Sequence, residues 1–138
     1  MRNAHTLWEL LASLTILCTI VAIAVPPITH ARDRATVRAA ASTLRATLSA
    51  ARDAALTRGA IALAIVDATI PAITIVVNRD TVLRHSLDGD FRSRLSASRD
   101  TIRFGPTGRA FGASNSTLIL RTGSVAETVT VSRIGRVR

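Results

Sequence analysis

A glutamate at the head of a long apolar run sets the tightest limit on this chain. Glu9 is followed by Leu10 to Ile28, a stretch without a charged residue, and the next charge is Arg32. As a helix at roughly 1.5 Å per residue the run spans about 28 Å, close to the hydrocarbon thickness of a bilayer. Moving an ionised acid into hydrocarbon is costly unless it is paired or neutralised. Any reading of the segment must therefore explain both the apolar length and the carboxylate.

Three readings meet the length. A secretory signal peptide needs a small-x-small cleavage site, which Ala22-Ile23-Ala24 supplies ahead of Pro26; Glu9 argues against it, since an apolar signal core has no use for an acid. A plain membrane anchor places Glu9 at the interface. The third reading accounts for the acid: His5-Thr6-Leu7-Trp8-Glu9 and the run behind it resemble the N-terminus of a type IV prepilin or pseudopilin. The resemblance implies a short leader, residues 1–4, cut by the prepilin peptidase between Ala4 and His5, with Thr6-Leu7-Trp8-Glu9 matching the family's Thr-Leu-x-Glu and Pro26 falling on its proline. Ala4 stands where the family usually has Gly, and His5 where it usually has Phe. Intact mass separates the three: loss of Met1–Ala4, loss of Met1–Ala24, or no loss.

At 138 residues the chain suits one small domain plus an anchor. The single cysteine, Cys18, lies within the apolar run, so no intrachain disulfide can form. Eighteen basic residues, all arginine, face nine acidic ones, for a net charge of +9. Such a surface suits phosphates and anionic lipid, or simply keeps the domain solvated. Arg2 precedes the apolar run while Arg32, Arg34 and Arg38 follow it, so charge alone favours a cytoplasmic C-terminal domain. The resemblance implies the opposite orientation: a single-pass inner-membrane protein with residues 59–138 in the periplasm. That orientation is adopted as the expectation.

Pro26-Pro27 should kink or interrupt the helix, because each removes a donor and Pro27 restricts the residue before it. Beyond them, Val37, Ala41, Leu44, Leu48, Ala51 and Ala55 recur at steps of four and three and line one helical face. Gly59 after Arg58 is a natural C-terminal cap. One kinked helix over residues 5–58 follows, with its membrane part at 10–28. Arg38, Arg45 and Arg52, seven apart, form a stripe beside the apolar seam, either a solvated flank or a contact for acidic groups on neighbouring subunits.

After Gly59 the chain turns to short β-branched runs between turn residues. Strands are expected at Ala60–Val66, Ile70–Val77, Thr81–His85, Thr101–Phe104, Thr117–Leu120 and Glu127–Arg133, the last with Val129 and Val131 inward. Asn78-Arg79-Asp80, Asp88-Gly89-Asp90, Gly105 to Arg109 and Gly123 read as turns. The expected class is α+β: a long kinked helix, membrane-spanning in its first half, packed on a C-terminal antiparallel β-sheet or sandwich domain.

Catalysis finds no support. His5, His30 and His85 are scattered, and Cys18 has no matched base. Asp88 and Asp90 fall short of a calcium loop, and Gly105-Pro106-Thr107-Gly108-Arg109 lacks the lysine of a phosphate loop. No enzyme, cofactor or metal is expected.

Phe104 to Gly108, Leu118 to Leu120, Thr130 to Arg138, and the helical Ala51 to Gly59 with Arg52, Ala55, Arg58 and Gly59 extend the resemblance to the GspH/FimT class of minor pseudopilins. It implies a non-enzymatic filament subunit of a type II secretion pseudopilus or type IV pilus, with other pilins as partners. It also implies that Glu9 meets the N-terminal amine of a neighbouring subunit, with Pro26 part of the assembly segment. In DNA-uptake members a Gly-Arg-x-Arg is implicated in binding DNA. Gly135-Arg136-Val137-Arg138 matches it, so Arg136 and Arg138 with Arg133, and Arg121 and Arg109 widening the patch, make DNA the alternative partner.

Overall fold

The computed structural model describes residues 6–87, 91, 93–112 and 115–138. Ala4 and His5 lie outside the described residues, as does the Asp88-Gly89-Asp90 turn. The chain divides into two compact units, Met1–Arg32 and Asp33–Arg138.

A single helix, α1, runs Leu7–Arg58. Its apolar stretch is exposed in the isolated chain, and α1 is, among the described residues, the one helix long and apolar enough to cross a membrane. Pro26 and Pro27 both sit inside it, and the helical assignment continues through them. Their missing N–H groups leave the carbonyls of Ala22 and Ile23 without their usual donors.

In the second unit α1 buries Val37, Ala40, Ala41, Leu44, Thr47, Leu48, Ala51 and Ala55. All six seam positions expected from periodicity are in that set. The helix ends as its C-terminus should: Gly59 has φ 57°, its N–H donates to Leu56 O at 3.4 Å, and Ala60 N–H donates to Ala55 O at 3.2 Å. This is the paired 6→1 and 5→2 closure of a Schellman motif. A Cβ at Gly59 would meet nothing within 4 Å, so Gly59→Ala adds only left-handed backbone strain. It is expected to cost about 1 kcal/mol in a denaturant melt.

Eight strands follow: β1 Ala62–Asp67, β2 Ala72–Val77, β3 Asp80–Ser86, β4 Arg94–Ala97, β5 Thr101–Phe104, β6 Ala110–Phe111, β7 Ser116–Thr122 and β8 Val125–Val131. They form a five-stranded sheet, β3-β2-β1-β5-β6, and a three-stranded sheet, β4-β7-β8, with antiparallel pairing throughout. Asp67 Oδ1 accepts the N–H groups of Thr69 and Ile70 to close the β1–β2 loop. Asn78 and Arg79, at φ 54° and 72°, make the two-residue turn between β2 and β3, with the twist that antiparallel ribbons need.

Alternation packs the inner faces of both sheets onto the helix seam in one cluster. Ala62, Ala64 and Val66 of β1, Ile73, Ile75 and Val77 of β2, Ile102 and Phe104 of β5, Leu118 and Leu120 of β7, and Val129 and Val131 of β8 belong to it. The architecture is the expected α+β one. Three differences in detail have physical causes. β4 lies inside the polar stretch Ser86–Asp100, where Leu95 is its only large apolar residue, and buried. β6 has two residues, too few for any alternation to show. β8 stops at Val131 rather than Arg133 because Gly135 N–H donates to Ser132 O at 2.9 Å and turns the chain back.

Candidate functional site

Two regions carry the residues singled out by sequence. In the first unit, Glu9 stands in the first turn of α1. Glu9 N–H donates to Thr6 O at 3.0 Å and Leu10 N–H to the same oxygen at 3.2 Å, so Thr6 opens the helix. Pro26 lies within the exposed apolar stretch, where Thr29 Oγ1 donates to its carbonyl at 2.9 Å.

In the second unit the chain reverses after β8 and returns along it. Thr130 and Arg138 exchange both backbone hydrogen bonds, at 2.8 and 2.9 Å, and Val131 bridges Val137. Val137 packs on the core while Arg136 and Arg138 face outward on either side of it. Arg133 is exposed in the preceding turn, and its carbonyl accepts the Ala110 N–H at 3.2 Å, docking the turn on β6.

What holds this end in place is a junction of three sequence motifs. Arg52 Nε donates to Gly108 O at 3.1 Å, joining α1 to the turn between β5 and β6. Gly135, at φ 76°, brings its backbone so close that a Cβ there would collide with the same Gly108 carbonyl oxygen. Gly108, at φ 72°, would with a Cβ press on Arg52 Nε at 3.1 Å and Leu56 Cδ2 at 3.2 Å. Nearby, Arg45 Nη2 donates to Glu127 Oε1 at 3.1 Å, tying α1 to β8. Both side chains of that pair remain about one-third exposed, so the bridge contributes less than about 1 kcal/mol.

These contacts revise the reading of the arginine stripe. Arg45 and Arg52 are half-buried and bind the protein's own β-strands; only Arg38 is exposed. The basic patch is revised too. Arg109 shares a groove with Arg133, but Arg121 pairs across β4–β7 with Arg94 and lines a separate cleft. Arg99 and Arg103, which sequence reasoning passed over, line a groove with Arg133. The outward place of Arg103 in the Thr101–Phe104 alternation was a legible sign; its meeting with the end of β8 was not.

Among the described residues no three His, Cys, Asp or Glu side chains gather as a metal site.

Comparison with known proteins gives the family and the fold. The sequence profile described as "Type II transport protein GspH" matches residues 40–135. No curated protein matches the sequence. Two crystal forms of the type IV minor pilin FimU of Pseudomonas aeruginosa share the fold. One aligns at TM-score 0.61 with 18% identity, over 73% of this chain and 90% of that one. The other aligns at TM-score 0.62 with 17% identity, over 76% and 88%.

Proposed function

Because the chain belongs to the GspH family of type II transport proteins, we propose that it is a minor pseudopilin: a structural subunit of a type II secretion pseudopilus or a type IV pilus, not an enzyme. The observation that carries the proposal is a family match that begins on the buried half of α1 and ends at Gly135, on a chain whose preceding helix is apolar and exposed. In this reading the prepilin peptidase cuts between Ala4 and His5, α1 holds the subunit in the inner membrane, and residues 59–138 stand in the periplasm until assembly. Glu9 then meets the N-terminal amine of a neighbouring subunit, and the exposed apolar face of α1 exchanges lipid for neighbouring helices.

The test is recovery of the chain in sheared or affinity-purified filaments, with intact mass of the recovered form. A chain shortened by Met1–Ala4 and present in filaments is expected. A chain that stays in the membrane fraction, or that loses Met1–Ala24, overturns the reading.

A second reading, capture of DNA for uptake, is favoured by the outward display of Arg133, Arg136 and Arg138 on one reversed segment. Guanidinium groups so placed neutralise phosphates without reading base sequence.

A further inference from the structure

The groove that Arg99, Arg103 and Arg133 share has a volume of about 340 Å³ and lies where β5 and β6 meet the ends of β7 and β8. Its described lining includes these three guanidinium groups and no carboxylate. Thr101, Asn115 and Ser132 add neutral hydrogen-bonding groups. Such a site attracts an anion, and three arginines in one groove suit a chain of negative charges better than a single one.

One further side chain indicates which anion. The protein has three phenylalanines, one tryptophan and no tyrosine. Trp8 belongs to the membrane helix, Phe104 is fully buried, and Phe91 packs partly against the core. Outside the membrane segment, Phe111 is the one described aromatic side chain at the surface, 55% exposed. It borders both the Arg99 groove and the adjoining groove that holds Arg109. The Cε2 edge of its ring comes against Gly105, where a Cβ would overlap it. The glycine thus makes room for that edge, and more than half of the side chain's surface stays open to solvent.

We infer that this groove binds a single strand of nucleic acid, with Arg99, Arg103 and Arg133 along the phosphates and a base stacked on Phe111. A bare aromatic face beside a basic groove is the arrangement that single strands require, because every unpaired base offers a face to stack. A duplex keeps its bases inside and gains nothing from the ring. The inference rests on the nucleic-acid reading above and assigns it to residues away from the Arg136 and Arg138 tail.

The test uses the full chain in neutral detergent micelles and fluorescence anisotropy across a salt series. The probes are a short labelled oligothymidylate and the same strand annealed to oligoadenylate. The single strand is expected to bind more tightly than the duplex. Phe111→Leu should weaken single-strand binding about tenfold and leave duplex binding unchanged, while Phe111→Tyr should retain it. Arg99→Gln with Arg103→Gln should lower the slope of log affinity against log salt by about 1.4, some 0.7 for each single-strand phosphate that is no longer neutralised. Circular dichroism melts matching wild type show that each variant is folded. If Phe111→Leu binds like wild type while Arg136→Ala with Arg138→Ala loses binding, the groove assignment fails and the nucleic-acid reading stands. If neither probe binds, both fail. Displacement of the strand by polyglutamate at equal charge concentration also overturns the inference, because a peptide gains no base stacking.

Discussion

Glu9→Gln is expected to leave the protein in the membrane fraction at normal abundance and to remove it from filaments. The substitution keeps the shape of the side chain and deletes its charge at the head of an apolar helix. Insertion depends on the length and composition of that helix, which do not change. Assembly in the proposed filament places the Glu9 carboxylate against a neighbour's N-terminal amine in a medium of low dielectric. Removing one partner of such a pair costs about 3–5 kcal/mol, because the other charge stays desolvated. A loss of that size lowers incorporation at least about a hundredfold, since 1.4 kcal/mol is a factor of ten. Quantitative immunoblots of membrane and sheared-filament fractions read both effects. Wild-type recovery of the Gln variant in filaments would falsify the pairing.

The second large effect is expected at Gly135. Gly135→Ala should destabilise the Asp33–Arg138 unit by about 3 kcal/mol. Left-handed strain at φ 76° contributes about 1–2 kcal/mol, and forcing a methyl group onto backbone adds overpacking of about 1–3 kcal/mol. The atom in the way is the Gly108 carbonyl oxygen that accepts the Arg52 hydrogen bond. The strand reversal, the β5–β6 turn and α1 would therefore loosen together. Gly59→Ala is the matched comparison, since it has similar φ and open space. Equal losses for the two variants in denaturant melts would show that the close approach of Gly135 to Gly108 carries no energy of its own.

The helix seam was legible because a single period of 3.6 governs it over many turns. Val37, Ala41, Leu44, Leu48, Ala51 and Ala55 all reach the core. The inward Val129 and Val131 were legible through strict alternation. What sequence could not show is where distant segments meet. Arg52 and Arg45 read as a solvated flank because their partners, Gly108 and Glu127, lie 56 and 82 residues away. Gly105 and Gly108 stood out as turn residues and Gly135 as the head of the Gly-Arg-x-Arg, but their second duty, admitting a ring or a backbone at close range, belongs to tertiary structure. Likewise Arg133 was recognised as basic, while Arg99 and Arg103 beside it in the groove come from the loop before β5 and from β5 itself, with no sequence proximity to reveal them.

The carboxylate of Asp33 lies against the backbone at Gly123, in the turn between β7 and β8, so closely that a Cβ there would collide with it. Two bonds, Arg45–Glu127 and Arg52–Gly108, tie α1 to the β-domain about 10 Å apart along its axis, and the Asp33 contact lies about 18 Å further towards the N-terminus. Contacts spread along a shaft resist its turning inside the hub. A torque or axial pull applied to this half of the helix is therefore shared with the strands at points spread along its length. Force that reaches this unit through its helix would be felt at the unit's arginine-lined surface.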